Sequence, residues 1–236
     1  MNRAIIIIGG LATMAAISHV TMKMARGQVD LPPDDVNAGA QIAAEGTSAG
    51  APACVSCHAV AGNPDGSGPF PRLFGLPHDY LVKQMRDYAA GRRSNDIMSM
   101  VAKSLTEREA ADVSTYYAEA TKEAMPEFQP DDKGLITLGQ KLATFGDQDK
   151  QVPACNACHG PAGIGQPPTI PPLAGQFAPY MMQQLLDWQK GQRKNDGGQQ
   201  MATIVKHMTA QDIAAVAAYY QQSRPSTAAP SQPPKN

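Results

Sequence analysis

The sequence predicts an all-α protein made of two tandem repeats. Three observations favour this class: helix-capping signals recur along the chain, no segment has a convincing strand pattern, and the second half repeats the first. The 236 residues are enough for two domains of about 100 residues each. We therefore expect two small helical domains related by internal duplication.

The repeat is recognised from matched residues, most of which are 100 positions apart. The matched pairs at this offset are Gly39/Gly139, Gly46/Gly146, Leu73/Leu173, Gly75/Gly175, Tyr80/Tyr180, Gln84/Gln184, Gly91/Gly191, Arg93/Arg193, Asn95/Asn195 and Asp96/Asp196. Closer to the end of the repeat the offset becomes 103, so that Thr106 is matched by Thr209. Short insertions in loops account for the change of offset.

Residues 1–26 predict an export signal peptide or a membrane anchor. Arg3 precedes an uncharged run over residues 4–17, which is short compared with the roughly 20 apolar residues of a membrane span. This length favours cleavage, whereas Lys23 and Arg26 beyond the run are typical of a segment that is retained. Both alternatives predict that the rest of the chain is exported.

Residues 30–128 form the predicted first repeat, which begins with a helix. Asp34 and Asp35 are good N-cap residues for a helix through Ala44, and Gly46 suits the position just after it.

Two further helices are predicted in this repeat. Pro77 is favoured in the first turn of the second helix, which Gly91 ends. Thr106 and Glu109 form a capping box for the last helix, which we expect to reach about Ala124. The segment between Gly91 and Thr106 is expected to be a connection.

Residues 129–224 copy this plan, and residues 225–236, rich in Pro, Ser, Ala and Gln, predict a disordered tail. The net charge is only −1, which does not favour a nucleic-acid partner. The charge is unevenly distributed, because residues 30–128 hold 14 acidic and 8 basic side chains and residues 129–236 hold 7 acidic and 9 basic.

The most specific motif is Cys-x-x-Cys-His, which occurs once in each repeat. Its members are Cys54, Cys57 and His58 in the first repeat and Cys155, Cys158 and His159 in the second. The chain has no other cysteine. Two thiols one helical turn apart can both bond to the vinyl groups at one edge of a porphyrin, and the histidine can then bind the iron. The motifs predict two covalently bound haem c groups.

Three other roles of the cysteines are less favoured. Paired Cys-x-x-Cys zinc ligands are usually about 15–20 residues apart, and here the spacing is far wider. A thioredoxin-like redox pair needs a βαβ context, which the sequence lacks. Disulfide bonds are compatible with export, but they do not explain the histidine after each pair.

The second axial ligand of each iron is predicted from the repeat. Met98 and Met201 each lie eight residues before the threonine that begins the last helix of their repeat. Met100 is matched by Thr203, and the histidines outside the motifs have no matched histidine. We predict Met98 and Met201 as iron ligands, with Met100 and those histidines as alternatives and with core packing as another role for methionine.

Two more pairs are candidates for the surroundings of the haems. Each proximal imidazole should donate its other N–H to a carbonyl group, and the segments that begin at Pro71 and Pro171, Pro71-Arg72-Leu73 and Pro171-Pro172-Leu173, are placed to supply it, although an ordinary rigid loop is the alternative. Arg93 and Arg193 could pair with haem propionates, or they could be solvated residues near a helix end.

These motifs resemble those of the dihaem cytochrome c4 family. The resemblance rests on Cys-x-x-Cys-His, Pro-x-Leu-x-Gly, Gly-x-Arg, the late methionine and the Tyr-Tyr pair of the last helix, and it covers about residues 35–223. It implies two tandem class I cytochrome c domains whose haems face each other across the domain interface. It also implies periplasmic electron transfer from a cytochrome bc1-type quinol–cytochrome c reductase towards a terminal oxidase.

The chain departs from the family pattern in its N-terminal segment, in three residues inserted before Met201 and in its Pro-rich tail. These departures bear on anchoring to the inner membrane and on the choice of partner. Two filled coordination spheres favour an electron carrier and not an enzyme. The alternatives are a haem c subunit of a dehydrogenase or respiratory complex, and a dihaem peroxidase or thiosulfate-oxidising enzyme.

Overall fold

Helices account for all the regular structure in the described part of the chain. A computed structural model describes residues 33–58, 70–120 and 132–224. In order, the α-helices are α1 Val36–Glu45, α2 Val55–His58, α3 His78–Ala89, α4 Asp96–Lys103, α5 Glu107–Glu119, α6 Lys133–Phe145, α7 Cys155–His159, α8 Ala178–Gln189, α9 Gln200–Val205 and α10 Ala210–Gln222. Two isolated β-bridges occur in these ranges, but no strand does. The all-α prediction is confirmed.

The helix-capping predictions of the first repeat are largely confirmed. Asp35 caps α1 by accepting hydrogen bonds from two backbone N–H groups, and Gly46 follows the helix with a φ of 80°. The capping box of Thr106 and Glu109 is present at the start of α5. The predicted end of this helix is wrong, because Ala120 already has an extended ψ of 124°.

The segment between Gly91 and Thr106 is not merely a connection, because it contains α4. Asn95 caps this helix with its side chain, and Met98 lies in its first turn. The matched segment of the second repeat is less regular: a 3₁₀ turn over Gly197–Gln199 leads into the six-residue α9, which carries Met201. Each predicted methionine ligand is therefore placed by a helix.

The first and last helices of each repeat cross at a glycine. A Cβ on Gly39 would lie 2.0 Å from the carbonyl oxygen of Asp112, and a Cβ on Gly139 would lie 2.1 Å from that of Ala215. Neither contact is sterically possible, so only glycine allows α1 to approach α5, or α6 to approach α10, this closely. This packing requirement explains why the glycine occurs in both repeats.

Each repeat has its own apolar core. The first is built around Ala43, Leu76, Leu81, Val113 and Tyr117. The core of the second repeat is larger, with Leu142, Ala143, Val152, Met181, Val205, Met208, Ile213, Val216, Ala217 and Tyr220. Burial of such side chains contributes about 1.5–3 kcal/mol each.

Several predictions concern residues outside the described ranges. They are the N-terminal segment 1–26, the tail 225–236 and most of the loop after the first Cys-x-x-Cys-His motif. The boundary between domains 30–128 and 129–224 also lies there, and it stays a prediction. Among the described helices, none is long and apolar enough to cross a membrane.

Candidate haem sites

Both Cys-x-x-Cys-His motifs line one cavity of about 1750 Å³. Its wall is mainly apolar and contains residues of both repeats. A pocket for a single small-molecule ligand is typically about 300–1,000 Å³, so this cavity has room for two such groups. The size and lining fit two haems, one bonded at each motif.

The short helices α2 and α7 present the motif side chains. No disulfide bond joins any of Cys54, Cys57, Cys155 and Cys158 in this structure. Burial raises the pKa of Cys54 and of Cys155. No cluster of three or more His, Cys, Asp or Glu side chains suited to a metal ion occurs in the described part of the chain.

The two histidines make equivalent hydrogen bonds. Nδ1 of His58 lies 3.0 Å from the carbonyl oxygen of Pro71, and Nδ1 of His159 lies 2.9 Å from that of Pro171. A carbonyl oxygen can only accept, so each ring donates from Nδ1 and leaves Nε2 free to bind a metal. Burial lowers the pKa of both histidines despite these hydrogen bonds, which favours the neutral ring that a metal requires.

Met98 and Met201 are half-buried, and both line the cavity. Met100 is 64% exposed and lies outside the cavity wall, as do His78 and His207, whereas His19 lies outside the described residues. Three other methionines also line the cavity, but the matched positions hold leucine; the pairs are Met85/Leu185, Leu81/Met181 and Leu105/Met208. Among the methionines of the cavity wall, Met98 and Met201 are the two whose matched position also holds methionine.

Arg93 and Arg193 are buried in the cavity wall, with exposed fractions of 4% and 6%, so neither is a solvated side chain. Each guanidinium lies over an aromatic ring: Cζ of Arg93 is 4.6 Å from the centroid of Tyr88, and Cζ of Arg193 is 3.9 Å from that of Trp188. Among the described residues, neither arginine forms an ion pair with a carboxylate.

Glutamines from both repeats join the two arginines. Oε1 of Gln84 accepts from Arg93 at 2.8 Å and from Arg193 at 3.4 Å, and Oε1 of Gln184 accepts from Arg193 at 3.0 Å and from Arg93 at 2.6 Å. Arg93 also donates to the hydroxyl of Tyr180 at 2.9 Å. Burial alone would raise the pKa of Tyr180, but the two nearby cations lower it.

One further polar group of the cavity wall, the indole N–H of Trp188, fits an anionic ligand. Nε1 of Trp188 is buried and has no hydrogen-bond partner within the described ranges. A buried donor of this kind is usually satisfied by an acceptor, and a buried cation by an anion. Haem carries two propionates, so the residues present fit the cofactor that the motifs predict.

Comparisons with known proteins agree with this geometry. A family model described as Cytochrome c matches residues 136–224. The chain is 39% identical over 181 residues to a thiosulfate dehydrogenase electron acceptor of Stutzerimonas stutzeri, which covers 74% of this chain and 81% of the relative. It is 35% identical over 170 residues to cytochrome c4 of Pseudomonas aeruginosa, covering 71% and 82% of the two chains. The chain belongs to the cytochrome c4 family.

Solved structures confirm the fold of this cytochrome c4 family member. The chain is similar to reduced recombinant cytochrome c4 from Pseudomonas stutzeri, with a TM-score of 0.70 and 30% identity over 81% of this chain and 100% of that chain. It is also similar to thiosulfate dehydrogenase (TsdBA) from Marichromatium purpuratum, with a TM-score of 0.76 and 34% identity. That match covers 85% of this chain but 43% of the other.

Several predictions are therefore confirmed. The protein has two tandem class I cytochrome c domains, binds two haem c groups covalently and is a dihaem electron-transfer cytochrome with redox protein partners.

Sequence reasoning gave no role to the glutamines of the cavity wall. The matched pair Gln84/Gln184 was detectable from the repeat, because a polar residue repeated within a helix suggests a shared contact. Gln176 gave no such signal, because its matched residue is Leu76.

Proposed function

We propose that the irons are bound by His58 and Met98 in the first repeat and by His159 and Met201 in the second, and that the four motif cysteines attach the two porphyrins. One observation carries this proposal: both motifs and the repeat-matched methionine pair line the same cavity. The carbonyl groups of the two prolines at positions 71 and 171 orient the imidazole rings.

Arg93 and Arg193 are proposed to pair with haem propionates. Their support is the burial of two cations that lack a carboxylate partner in the described ranges. Leaving such charges unpaired in a dry interior would cost several kcal/mol. The stacked rings of Tyr88 and Trp188 hold the guanidinium planes in place.

The protein acts as an electron carrier and not as an enzyme. Haem iron would supply one-electron chemistry at these sites, and ligation by the proposed His and Met side chains would leave no position for peroxide or oxygen to bind. The purified holoprotein should accept two electrons per chain in a reductive titration and should show neither peroxidase nor thiosulfate-oxidising activity. Turnover of either substrate by the pure protein would overturn the carrier assignment.

The carrier is proposed to work in the periplasm, between a cytochrome bc1-type quinol–cytochrome c reductase and a terminal oxidase. This proposal rests on the family resemblance and on the predicted export segment. Mass spectrometry of the mature N-terminus, after separation of membrane and soluble fractions, will distinguish a cleaved signal peptide from a retained inner-membrane anchor.

A second candidate donor is a thiosulfate dehydrogenase. The relative from Stutzerimonas stutzeri carries the name of an electron acceptor of this enzyme. Stopped-flow mixing of the oxidised protein with each reduced donor, at matched concentration and ionic strength, will separate the two. A rate with the dehydrogenase that far exceeds the rate with the bc1-type complex would favour the dehydrogenase, and the opposite order would favour the respiratory chain.

A further inference from the structure

One peptide group of the first repeat links its proximal histidine to the second repeat. The carbonyl oxygen of Pro71 accepts from His58, and the N–H of the same peptide unit, which belongs to Arg72, donates to Oε1 of Gln176 at 2.9 Å. Nε2 of Gln176 donates in return to the carbonyl oxygen of Arg72 at 3.0 Å. His58, Arg72 and Gln176 are all buried, with exposed fractions of 6%, 5% and 4%.

The order of these hydrogen bonds has an electronic consequence. A peptide group whose N–H is hydrogen-bonded becomes more polarised, and its carbonyl oxygen becomes a stronger acceptor. The Gln176 side chain therefore strengthens the hydrogen bond from Nδ1 of His58 to Pro71. A stronger bond at Nδ1 makes the imidazole a more basic ligand, which stabilises the oxidised form of a metal bound at Nε2.

The second repeat cannot make this connection. His159 donates to the carbonyl oxygen of Pro171, but the next residue is Pro172, which has no N–H group. The position that matches Gln176 is occupied by Leu76, whose side chain cannot accept a hydrogen bond. The two proximal histidines thus share a proline carbonyl as their partner, and only the first of these carbonyls is polarised through its peptide N–H.

We propose that Gln176 is a positioning residue of the second repeat that lowers the reduction potential of the haem in the first repeat, acting through the Pro71–Arg72 peptide. This inference rests on the proposed ligation by His58. It gives the second repeat a specific influence on the first haem, and it distinguishes two haems that have the same proposed ligands.

The test replaces Gln176 by Leu, the residue at the matched position, in the full-length holoprotein. We expect the reduction potential of the first haem to rise and that of the second haem to stay the same. The equilibrium constant for one-electron transfer between the haems should then change by about threefold, which corresponds to about 28 mV at 59 mV per decade. In the reduced, diamagnetic protein, the Nδ1–H NMR signal of His58 should move upfield, and that of His159 should not. Gln176→Met keeps the side-chain length but removes the amide group. It should therefore give the same shifts even if Leu at this position disturbs the packing.

Arg72→Lys is the matched control. It keeps the positive charge and the backbone N–H that donates to Gln176. It alters a different hydrogen bond between the repeats, in which Nη2 of Arg72 donates to the carbonyl oxygen of Ala174 at 2.9 Å. Equal shifts in Arg72→Lys and Gln176→Leu would overturn the proposal, because general loosening between the repeats would explain both.

The outcome also separates this inference from the ligand assignment. Unchanged potentials and an unchanged His58 signal in Gln176→Leu, with both sulfur-to-iron charge-transfer bands intact, would refute the role of Gln176 and leave the proposed ligation standing. Absence of those bands in the unaltered protein would refute the ligation itself.

Discussion

Asn95 and Asn195 occupy matched positions in the two repeats but bond to different parts of the molecule. Oδ1 of Asn95 accepts from the N–H of Met98 at 2.9 Å and so caps α4. Nδ2 of Asn195 instead donates to Gln84 at 2.9 Å and to Asp87 at 2.7 Å, both in the first repeat. Duplication therefore preserved the residue while its function diverged: one asparagine stabilises a helix that carries a proposed ligand, and the other joins the repeats.

The first prediction follows from this difference. Asn95→Ala should weaken α4 by about 1 kcal/mol, the usual cost of losing an N-cap. On heating, the charge-transfer band of the first haem should then disappear at a lower temperature than in the unaltered protein. Asn195→Ala is the matched variant. It should not change which of the two haems loses its charge-transfer band first on heating. Identical melting behaviour of the two variants would contradict the distinct roles.

The second prediction concerns the methionine ligands. The oxidised protein should show a sulfur-to-iron charge-transfer band from both haems, and Met98→His or Met201→His should each remove about half of its intensity. Met100→Ala is the control, because Met100 is 64% exposed and lies outside the cavity wall. If Met100→Ala removes half of the band and Met98→Ala does not, the assignment from the repeat is wrong.

The third prediction concerns the helix crossings. Gly39→Ala and Gly139→Ala should each lower the free energy of unfolding by about 2–3 kcal/mol, because the new methyl group collides with backbone atoms of the facing helix. Urea unfolding of the holoprotein measures this change. Gly134→Ala, in the first turn of α6, is the control: the atom nearest to a Cβ there is Oδ1 of the Asp132 side chain at 3.1 Å and not the backbone of a facing helix, so the free energy of unfolding should fall by no more than about 0.5 kcal/mol. Equal stabilities of all three variants would show that the crossings can relax.

The fourth prediction concerns pH. Burial alone would raise the pKa of Asp87, but hydrogen bonds from Lys83, Asn195 and Arg92 outweigh it and hold the pKa below its ordinary value of about 3.9. The unfolded chain therefore binds this proton more tightly than the folded one. Ionised Asp87 therefore stabilises the folded protein. This contribution to the free energy of unfolding is fully present above about pH 5 and is lost as the pH falls through the lowered pKa of the folded state.

Asp87→Asn tests this effect. It should flatten the acid limb of the stability profile and lower the free energy of unfolding at pH 7 by about 2 kcal/mol, less than for a fully buried ion pair because Lys83 and Arg92 are partly exposed. Asp187→Asn, at the matched position, removes a half-buried carboxylate that accepts from Gln183 at 2.6 Å. Asp187 has no ion pair in the described ranges, so Asp187→Asn should lower the free energy of unfolding at pH 7 by less than Asp87→Asn does. Equal losses in the two variants would contradict the role of Asp87.

Much of the architecture was predictable because its causes are local. The Cys-x-x-Cys-His motifs, the capping box at Thr106 and the helix-ending Gly46 depend on residues a few positions apart, whose geometry one helical turn defines. The duplication carried these predictions from one repeat to the other. It also singled out Met98 and Met201 from the twelve methionines of the chain.

Other features required the tertiary structure. The helix α4 was missed because its eight residues follow the turn at Gly91 and have only a short periodic pattern. Arg93 and Gln176 each bond to residues of the other repeat, and the bond from Arg72 to Gln176 joins residues 104 positions apart. Sequence periodicity reports which face of a helix is apolar, but it does not report which polar side chains meet when two such faces pack.

The sequence by itself thus determined the cofactor class, the helical fold and the twofold repeat, since each depends on short-range spacing or on internal comparison. The tertiary structure decided how the repeats differ: which asparagine caps a helix, which arginine and glutamine meet, and which proline carbonyl is polarised by the opposite repeat. The physical reason is that hydrogen bonds between distant residues depend on how two surfaces pack, and nearly identical repeats can meet through residues that differ.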